Sequence, residues 1–358
     1  EMHSRFKGVL MPDIKLIDIR KAHLKRQMVG QFSIQLINAI KETLDNGKQI
    51  ILFQNRRGYA PILNCDTCSY VPKCVQCDVS LTYHKGHNHL RCHYCGYTIL
   101  FPAVCLACNS VGFTSKGFGT EQIEESLQEI FTDHVIKRMD YDTTRGKRSH
   151  HKIISDFEDG KIDILVGTQM ITKGLDFDHV SMVGILNADN MLCFPDFRSY
   201  ERAFQLMIQV AGRAGRKESQ GKVFIQTYDE KHEIFPMLCA HDFTSFIMGQ
   251  AKERKRFNYP PYSRLIEITT KHKYKKKTDL VSIELAKMLR KSFGKRVLGP
   301  EYPLISRVRN YYHKTMILKI EQGSSFVRAK SILNIIISNI KQDIRFSSVR
   351  FIVDVDPV

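Results

Sequence analysis

The sequence predicts an α/β chain: a lobe built on a mostly parallel sheet, interrupted by a cysteine-dense metal module and followed by a smaller α+β domain. Three observations predict it. Strand and helix patterns alternate from residue 12 to residue 227, which requires crossover connections and therefore parallel strands. Eight cysteines stand as C-x-x-C pairs within residues 65–108. From about residue 262 the order becomes strand, helix, strand, strand, helix, strand, that of a ferredoxin-like split βαβ unit.

The elements follow from periodicity. Residues 12–20 (PDIKLIDIR) alternate like a strand; Ile37, Ile40 and Leu44 mark a helix face that Asn46-Gly47 ends, and QIILF (49–53) is a strand. The cysteine insert comes next, and the alternation then resumes as if uninterrupted. Ile123, Leu127, Ile130 and Phe131 give a helix, VIKRM a short strand, 149–158 a helix, DILVG a buried strand, and 180–187 another strand. A helix from Tyr200 to Val210 and the strand KVFIQT close the lobe. In the tail, strands are expected at RLIEITT, 304–309, 314–320 and 349–355, with helices at 278–293 and 325–342. The expected division is 1–64 with 109–230 for the lobe, 65–108 for the insert, 231–261 for a helical linker and 262–358 for the last domain.

A chain of 358 residues exceeds what a single core of ~250 residues serves. Its 43% hydrophobic and 25% charged residues exclude a disordered or fibrous class. Lysine and arginine number 54 against 37 acids, a formal +17, which favours a polyanionic partner, nucleic acid first among them. A basic surface also arises as a solvated or membrane-adjacent face, so the motifs must decide. The polar opening Glu1-Met2-His3-Ser4 has no apolar signal region, and no segment offers the ~20 apolar residues of a membrane span. A cytoplasmic protein without membrane contact is expected, and the opening in an ordinary polar stretch suggests an excised piece.

The cysteine pairs are Cys65/Cys68, Cys74/Cys77, Cys92/Cys95 and Cys105/Cys108. In a reducing compartment such pairs bind metal rather than form disulfides, and two pairs close one tetrahedral four-thiolate shell with no open position. Two structural Zn2+ ions are expected. The fourteen residues between Cys77 and Cys92 suit a hairpin (SLTYHKGHNHLRC), which favours joining inner pair with inner and outer with outer. A sequential pairing competes. His84, His87, His89 and His93 are surplus candidates, read as solvated or facing nucleic acid; Cys193 and Cys239 are isolated and read as structural.

QLMIQVAGRAGR (205–216) is expected as a helix holding Arg213 and Arg216 on one face, placed to reach a γ-phosphate bound by another lobe. The bland alternative is a phosphate-contacting basic patch. DILVGTQMITKGLDFDHV places Thr168 at a strand end with Thr172, Lys173, Gly174 and Asp176 behind it; hydroxyls, lysine and amides suit a nucleic-acid backbone, and Asp176 a ribose hydroxyl or Arg216. FQNRRGYAP sets Arg56 and Arg57 just after a strand.

NRRGYAP, the eight-cysteine insert, VGTQMITKGLDFDHV, DNMLCFPDFRSYERAFQLMIQVAGRAGR and NYPPYSRL together resemble the PriA (primosomal protein N′) family of bacterial replication-restart helicases, over nearly the whole chain. The resemblance implies a RecA-like second helicase lobe with the zinc insert and a C-terminal nucleic-acid-binding domain, part of an ATP-dependent 3′-to-5′ DNA helicase for stalled forks and primosome assembly. It implies Arg213 and Arg216 as catalytic, Gln209, Gly174 and Asp176 as nucleotide-binding, and Arg56, Arg57, Thr168, Thr172 and Lys173 as DNA-binding. ATP and Mg2+ would serve the intact protein; forked or single-stranded DNA, single-stranded-DNA-binding protein and other primosome proteins would be partners.

The sequence departs from the family in carrying no G-x-x-x-x-G-K-[ST] run and no acidic metal box. This chain by itself is therefore expected not to turn over ATP. The insert is expected as a rigid knob with His84, Lys85 and Arg91 near its tip and Tyr70, Tyr83, Tyr94 and Tyr97 available to stack bases or to pack its small core. KERKRF, KHKYKKK and 291–296, with Arg307, Arg309, Tyr311 and Tyr312, are read as a backbone-tracking surface. The competing readings are a zinc-ribbon nucleic-acid-binding protein without motor activity and another helicase or translocase of the same superfamily.

Overall fold

The computed structural model describes residues 10–55, 62–68, 70–84, 88–116, 119–140, 143–144, 147–172, 177–192, 196–215 and 220–357. It falls into two compact units, one of residues 1–60 with 117–249 and one of 61–116 with 250–358.

In the first unit six parallel strands lie in the order Asp13–Asp18, Lys222–Thr227, Val180–Leu186, Gln49–Gln54, Ile164–Gly167, Ile136–Met139. The central strand Gln49–Gln54 is buried at every residue. Because side chains alternate across a sheet, Ile50 and Leu52 feed one core while Ile51 and Phe53 feed the other. The helices Ile34–Asp45 and Thr120–Ile130 cover the first face; Lys147–Glu158 and Ser199–Ala211 cover the second. Ser33 caps the helix Ile34–Asp45, its Oγ accepting from the Leu36 amide.

The lobe does not stop at residue 230. The segment expected as a linker forms helices Ile234–Cys239 and Phe243–Arg256, and Ile234, Phe235, Leu238 and Phe246 are buried in the lobe's second core. Phe246 stacks face to face on Phe204 with centroids 4.0 Å apart. The sequence hid this because the apolar residues of a short helix against a core look like those of an amphipathic connector.

The second unit holds the cysteine insert and the C-terminal domain together. The insert is a five-stranded antiparallel sheet that reaches beyond the cysteines, from Ile62–Cys65 to Phe113–Lys116. The C-terminal domain has four main strands in the order Val297–Glu301, Tyr311–Glu321, Ser263–His272, Arg350–Val355, all antiparallel. With helices Lys275–Phe293 and Phe326–Gln342 packed on it, this is the ferredoxin-like order expected. One strand is displaced: 304–309 yields only the two-residue Arg307–Val308, and the edge strand lies upstream at Val297–Glu301. Gly299 and Pro300 concealed it, and an edge strand accommodates them because one side of its ladder is unpaired.

Phe246→Ala is expected to lower the stability of the lobe by about 3 kcal/mol, as for a buried aromatic, read as a shift in its urea-unfolding midpoint. A change within about 0.5 kcal/mol would return this helix to the status of a linker.

Candidate metal centres and sheet-edge site

Each cysteine pair sits on the same turn. The amide of the leading cysteine donates to the carbonyl five residues on, Cys65 to Tyr70, Cys74 to Val79, Cys92 to Tyr97 and Cys105 to Ser110, at 2.7–2.9 Å. That turn points both sulfurs of a pair to one side. Amides inside it add N–H···S bonds, Gln76 to Cys74, Tyr97 to Cys95 and Ala107 to Cys105, at 3.4–3.5 Å. The repeat of leading cysteine and closing carbonyl is a signal that spacing alone did not reveal.

Strand pairing decides which pairs meet. Thr82–His84 and His89–Arg91 form the expected hairpin and bring Cys74, Cys77, Cys92 and Cys95 together. Cys65 pairs with Phe113 across the base strands, which gathers Cys65, Cys68, Cys105 and Cys108. The arrangement is inner with inner and outer with outer, and the sequential alternative is excluded. The four sulfurs of each set lie within 4.8 Å of one another.

A tetrahedral shell with Zn–S near 2.3 Å has sulfur–sulfur edges of about 3.8 Å. The sulfur pairs Cys65–Cys108, Cys68–Cys105 and Cys74–Cys95 are 3.6, 3.7 and 3.4 Å apart. The donor set therefore fits two Zn2+ ions. A hydrogen bond with the Ser110 hydroxyl draws the Cys65 thiol down to about 6, whereas burial pushes Cys74 up to about 12. Thiolates this close repel one another, so full ionisation of a set needs a cation among them.

None of the described histidines belongs to either set. His84, His89 and His93 instead cluster ring on ring, His84 lying 5.1 Å from His89 and 5.3 Å from His93. Tyr83 and Tyr97 pack against the module's small core, Tyr83 with its ring 5.3 Å from Phe101, while Tyr94 is exposed. Lys85 and His87 fall outside the described residues.

Arg307 and Arg309, read as part of a nucleic-acid surface, also make contacts within the unit. Arg307 pairs with Asp78 at 3.0 Å, and the Arg309 guanidinium donates to the Tyr94 carbonyl at 3.2 Å. Tyr311 lies under Lys271 and Arg350, at 4.7 and 5.2 Å. Lys273, Lys275 and Lys276 remain exposed, as do Lys291, Lys295 and Arg296.

In the lobe, the helix expected over 205–216 ends at Ala211, with Gly212 as its C-cap. Gly215 adopts a positive φ of 66°, and its amide donates to the carbonyl of Val180 at 2.9 Å. Arg213 thus lies in a turn beyond the helix rather than on its face, and Arg216 is outside the described residues. Gln209 is in the last turns of the helix, exposed.

Val180 is level with Gln49 at the amino end of the sheet. Thr168, 6% exposed, follows Gly167, which is level with Phe53 at the carboxyl end. The short 3-10 turn Gln169–Thr172 folds back there so tightly that a Cβ on Gly167 would lie 2.6 Å from Ile171. Asn55, the residue before Arg56, leaves the central strand at the same end. The structure therefore separates Thr168 and the approach to Arg56 and Arg57 from the Arg213 turn by the length of the sheet. Arg56, Arg57, Lys173, Gly174 and Asp176 lie outside the described residues, as does the side chain of Thr172.

Three family models match: a PriA DNA helicase Cys-rich region domain over residues 74–99, a helicase conserved C-terminal domain over 111–218, and a primosomal protein N C-terminal domain over 255–358. A "Replication restart protein PriA" from Bacillus subtilis (strain 168) is 38% identical over 97% of this chain and 43% of its own length. One from Synechocystis is 38% identical over 100% of this chain and 43% of its own. The chain thus spans less than half the length of these curated relatives. Among solved structures, the yeast DEAD-box splicing factor Prp28 overlays with a TM-score of 0.30 at 12% identity, covering 69% of this chain and 36% of that one.

Elemental analysis is expected to return two zinc ions per chain. Cys95→Ala should remove one and leave the outer set intact, so that Cys65, Cys68, Cys105 and Cys108 stay shielded from thiol reagents. One zinc in the unsubstituted protein would overturn the nested pair of sites.

Proposed function

The chain belongs to the PriA family of replication restart proteins, and on that premise we propose that it supplies the second motor lobe, zinc module and C-terminal DNA-binding domain of an ATP-dependent 3′-to-5′ DNA helicase. Its setting is the restart of stalled replication forks and primosome assembly, in the cytoplasm. Forked or single-stranded DNA is the substrate, and single-stranded-DNA-binding protein and primosome proteins are the partners. ATP and Mg2+ are held mainly by a P-loop lobe, whose motif this sequence does not contain.

The observation that carries the reading is the separation of Thr168, at the carboxyl end of one buried sheet, from the Arg213 turn at its amino end. Thr168, at the carboxyl end, contacts the DNA backbone together with Arg56, Arg57, Thr172 and Lys173, whose hydroxyls and cations hold phosphates without reading bases. The Arg213 turn lies at the amino end, and in the intact protein Arg213 and Arg216 act on the γ-phosphate, with Gln209, Gly174 and Asp176 serving the nucleotide. Guanidinium groups spread the charge of phosphoryl transfer, and because they sit on a different lobe from the P-loop, hydrolysis requires the lobes to close. A sheet buried on both faces transmits that closure to the DNA-holding end without deforming. The non-motor zinc-ribbon reading leaves the helicase C-terminal match over 111–218 unexplained.

The chain by itself is expected to bind single-stranded DNA, with affinity falling roughly 10³-fold or more between 50 and 200 mM salt, and to hydrolyse ATP negligibly. In a form of the protein that carries a P-loop lobe, Arg213→Ala or Arg216→Ala should lower DNA-stimulated hydrolysis on the order of 10³-fold while DNA affinity and zinc content hold. Near-normal hydrolysis by either variant would remove these arginines from the catalytic role.

A further inference from the structure

The inner zinc set is not closed by the insert alone. The hairpin Arg307–Val308/Tyr311–Tyr312 of the C-terminal domain lies against it. The Arg309 amide donates to the Cys77 sulfur at 3.3 Å, from 232 residues away in the sequence. The Arg309 guanidinium reaches the Tyr94 carbonyl, which lies between Cys92 and Cys95. One residue therefore bridges both inner knuckles. Around it the Asn310 amide donates to the Gln76 carbonyl at 2.8 Å and the Asp78 amide to the Arg307 carbonyl at 2.9 Å. The Asp78 carboxylate accepts from the Ser306 hydroxyl at 2.6 Å and from Arg307 at 3.0 Å, and Val308 packs into the module's core.

The backbone at this point is unusual. Arg309 and Asn310 both have positive φ, 49° and 62°, as the two-residue loop of a tight hairpin requires. Glycine or asparagine suits such a position and arginine does not, so the turn alone gives no reason for Arg309. A side chain held there persists where its surroundings over-determine it, and the two contacts to the inner knuckles are that determination. By contrast, the outer sulfurs take their hydrogen bonds, among the described residues, from within the insert, chiefly from Ser110 and the Ala107 amide.

We propose that Arg309 is a positioning residue for the inner zinc, and that metal retention there and docking of the C-terminal domain are one coupled equilibrium, while the outer site is autonomous. Hydrogen bonds to a coordinating thiolate offset its charge and hold its direction, and losing such outer partners typically lowers metal affinity about 10–100-fold. Linkage makes the effect reciprocal: what docks the hairpin retains the metal, and what retains the metal docks the hairpin. The inference rests on the two-zinc reading.

The experiment follows metal loss to a chelator by alkylation of the freed cysteines, resolved by mass spectrometry, in the full chain. Arg309→Gly keeps the turn and removes the bridge to Tyr94; combined with Asp78→Ala it also removes the clamp. The expected result is that Cys74, Cys77, Cys92 and Cys95 become reactive about 10-fold faster or more, with Cys65, Cys68, Cys105 and Cys108 unchanged. Unchanged inner cysteines, or equal acceleration of all eight, would overturn the coupling. Should the double variant not fold, the unsubstituted protein gives the second measurement. Hydrogen exchange at the Arg309 and Asn310 amides should rise in step with inner-cysteine alkylation during partial chelation, and protection that survives inner metal loss sinks the idea. A zinc content other than two would instead count against the two-site reading itself.

Discussion

The lobe depends on one strand. Gln49–Gln54 has no exposed residue and neighbours on both sides, so its alternating side chains are the seam between two cores. Fixing it fixes the levels of the strands beside it. Val180 is held opposite Gln49, and through the Gly215 amide the arginine turn is held to Val180. Gly167 is held opposite Phe53, and Thr168 follows. Candidate site residues far apart in the chain thereby acquire fixed spacings from a single buried element, which close packing makes stiff.

The cysteine module works by a different constraint. A small sheet has too little apolar surface to order itself, and its core is a few residues such as Leu63, Leu81 and Leu90 together with the sulfurs. Metal coordination supplies folding free energy that burial cannot, since the ligands are brought together only in the folded state. The nested order follows from topology: a hairpin closes the inner set, and the base strands close the outer. The outer set sits near the points where the chain enters and leaves the insert. The inner set faces the C-terminal hairpin, and so its surroundings are completed by a distant part of the chain.

That placement changes the reading of the basic tail. Charge runs attract the same explanation whether they are exposed or committed, and only contacts separate the cases. Arg307 and Arg309 serve the zinc module, and Arg264 binds Asp356 while lying 3.8 Å over the Phe326 ring. The lysines of 273–276 stay in solvent, with Tyr274 exposed among them. These lysines, with the exposed Lys252, Lys255, Arg256, Lys291, Lys295 and Arg296, are available to a polyanion.

The sequence by itself determined the element types and their order, because periods of two and of 3.6 residues are written locally wherever one face is buried. It determined the metal ligands as well, since paired thiols at a two-residue gap have few other uses, and it placed Thr168 at a strand end. What only the tertiary structure decided were matters of distance across the chain. The helix expected through Arg216 stops at Ala211 because Gly215 must turn back to reach Val180. The strand at Val297–Glu301 forms because an edge tolerates Gly299 and Pro300, and the helices after residue 230 belong to the lobe because Phe204 has Phe246 to stack on. Arg309 belongs to a zinc site whose ligands lie more than two hundred residues earlier. Local pattern records what each residue prefers, but hydrogen bonds and packing between remote segments follow from the folded path, and no local period encodes them.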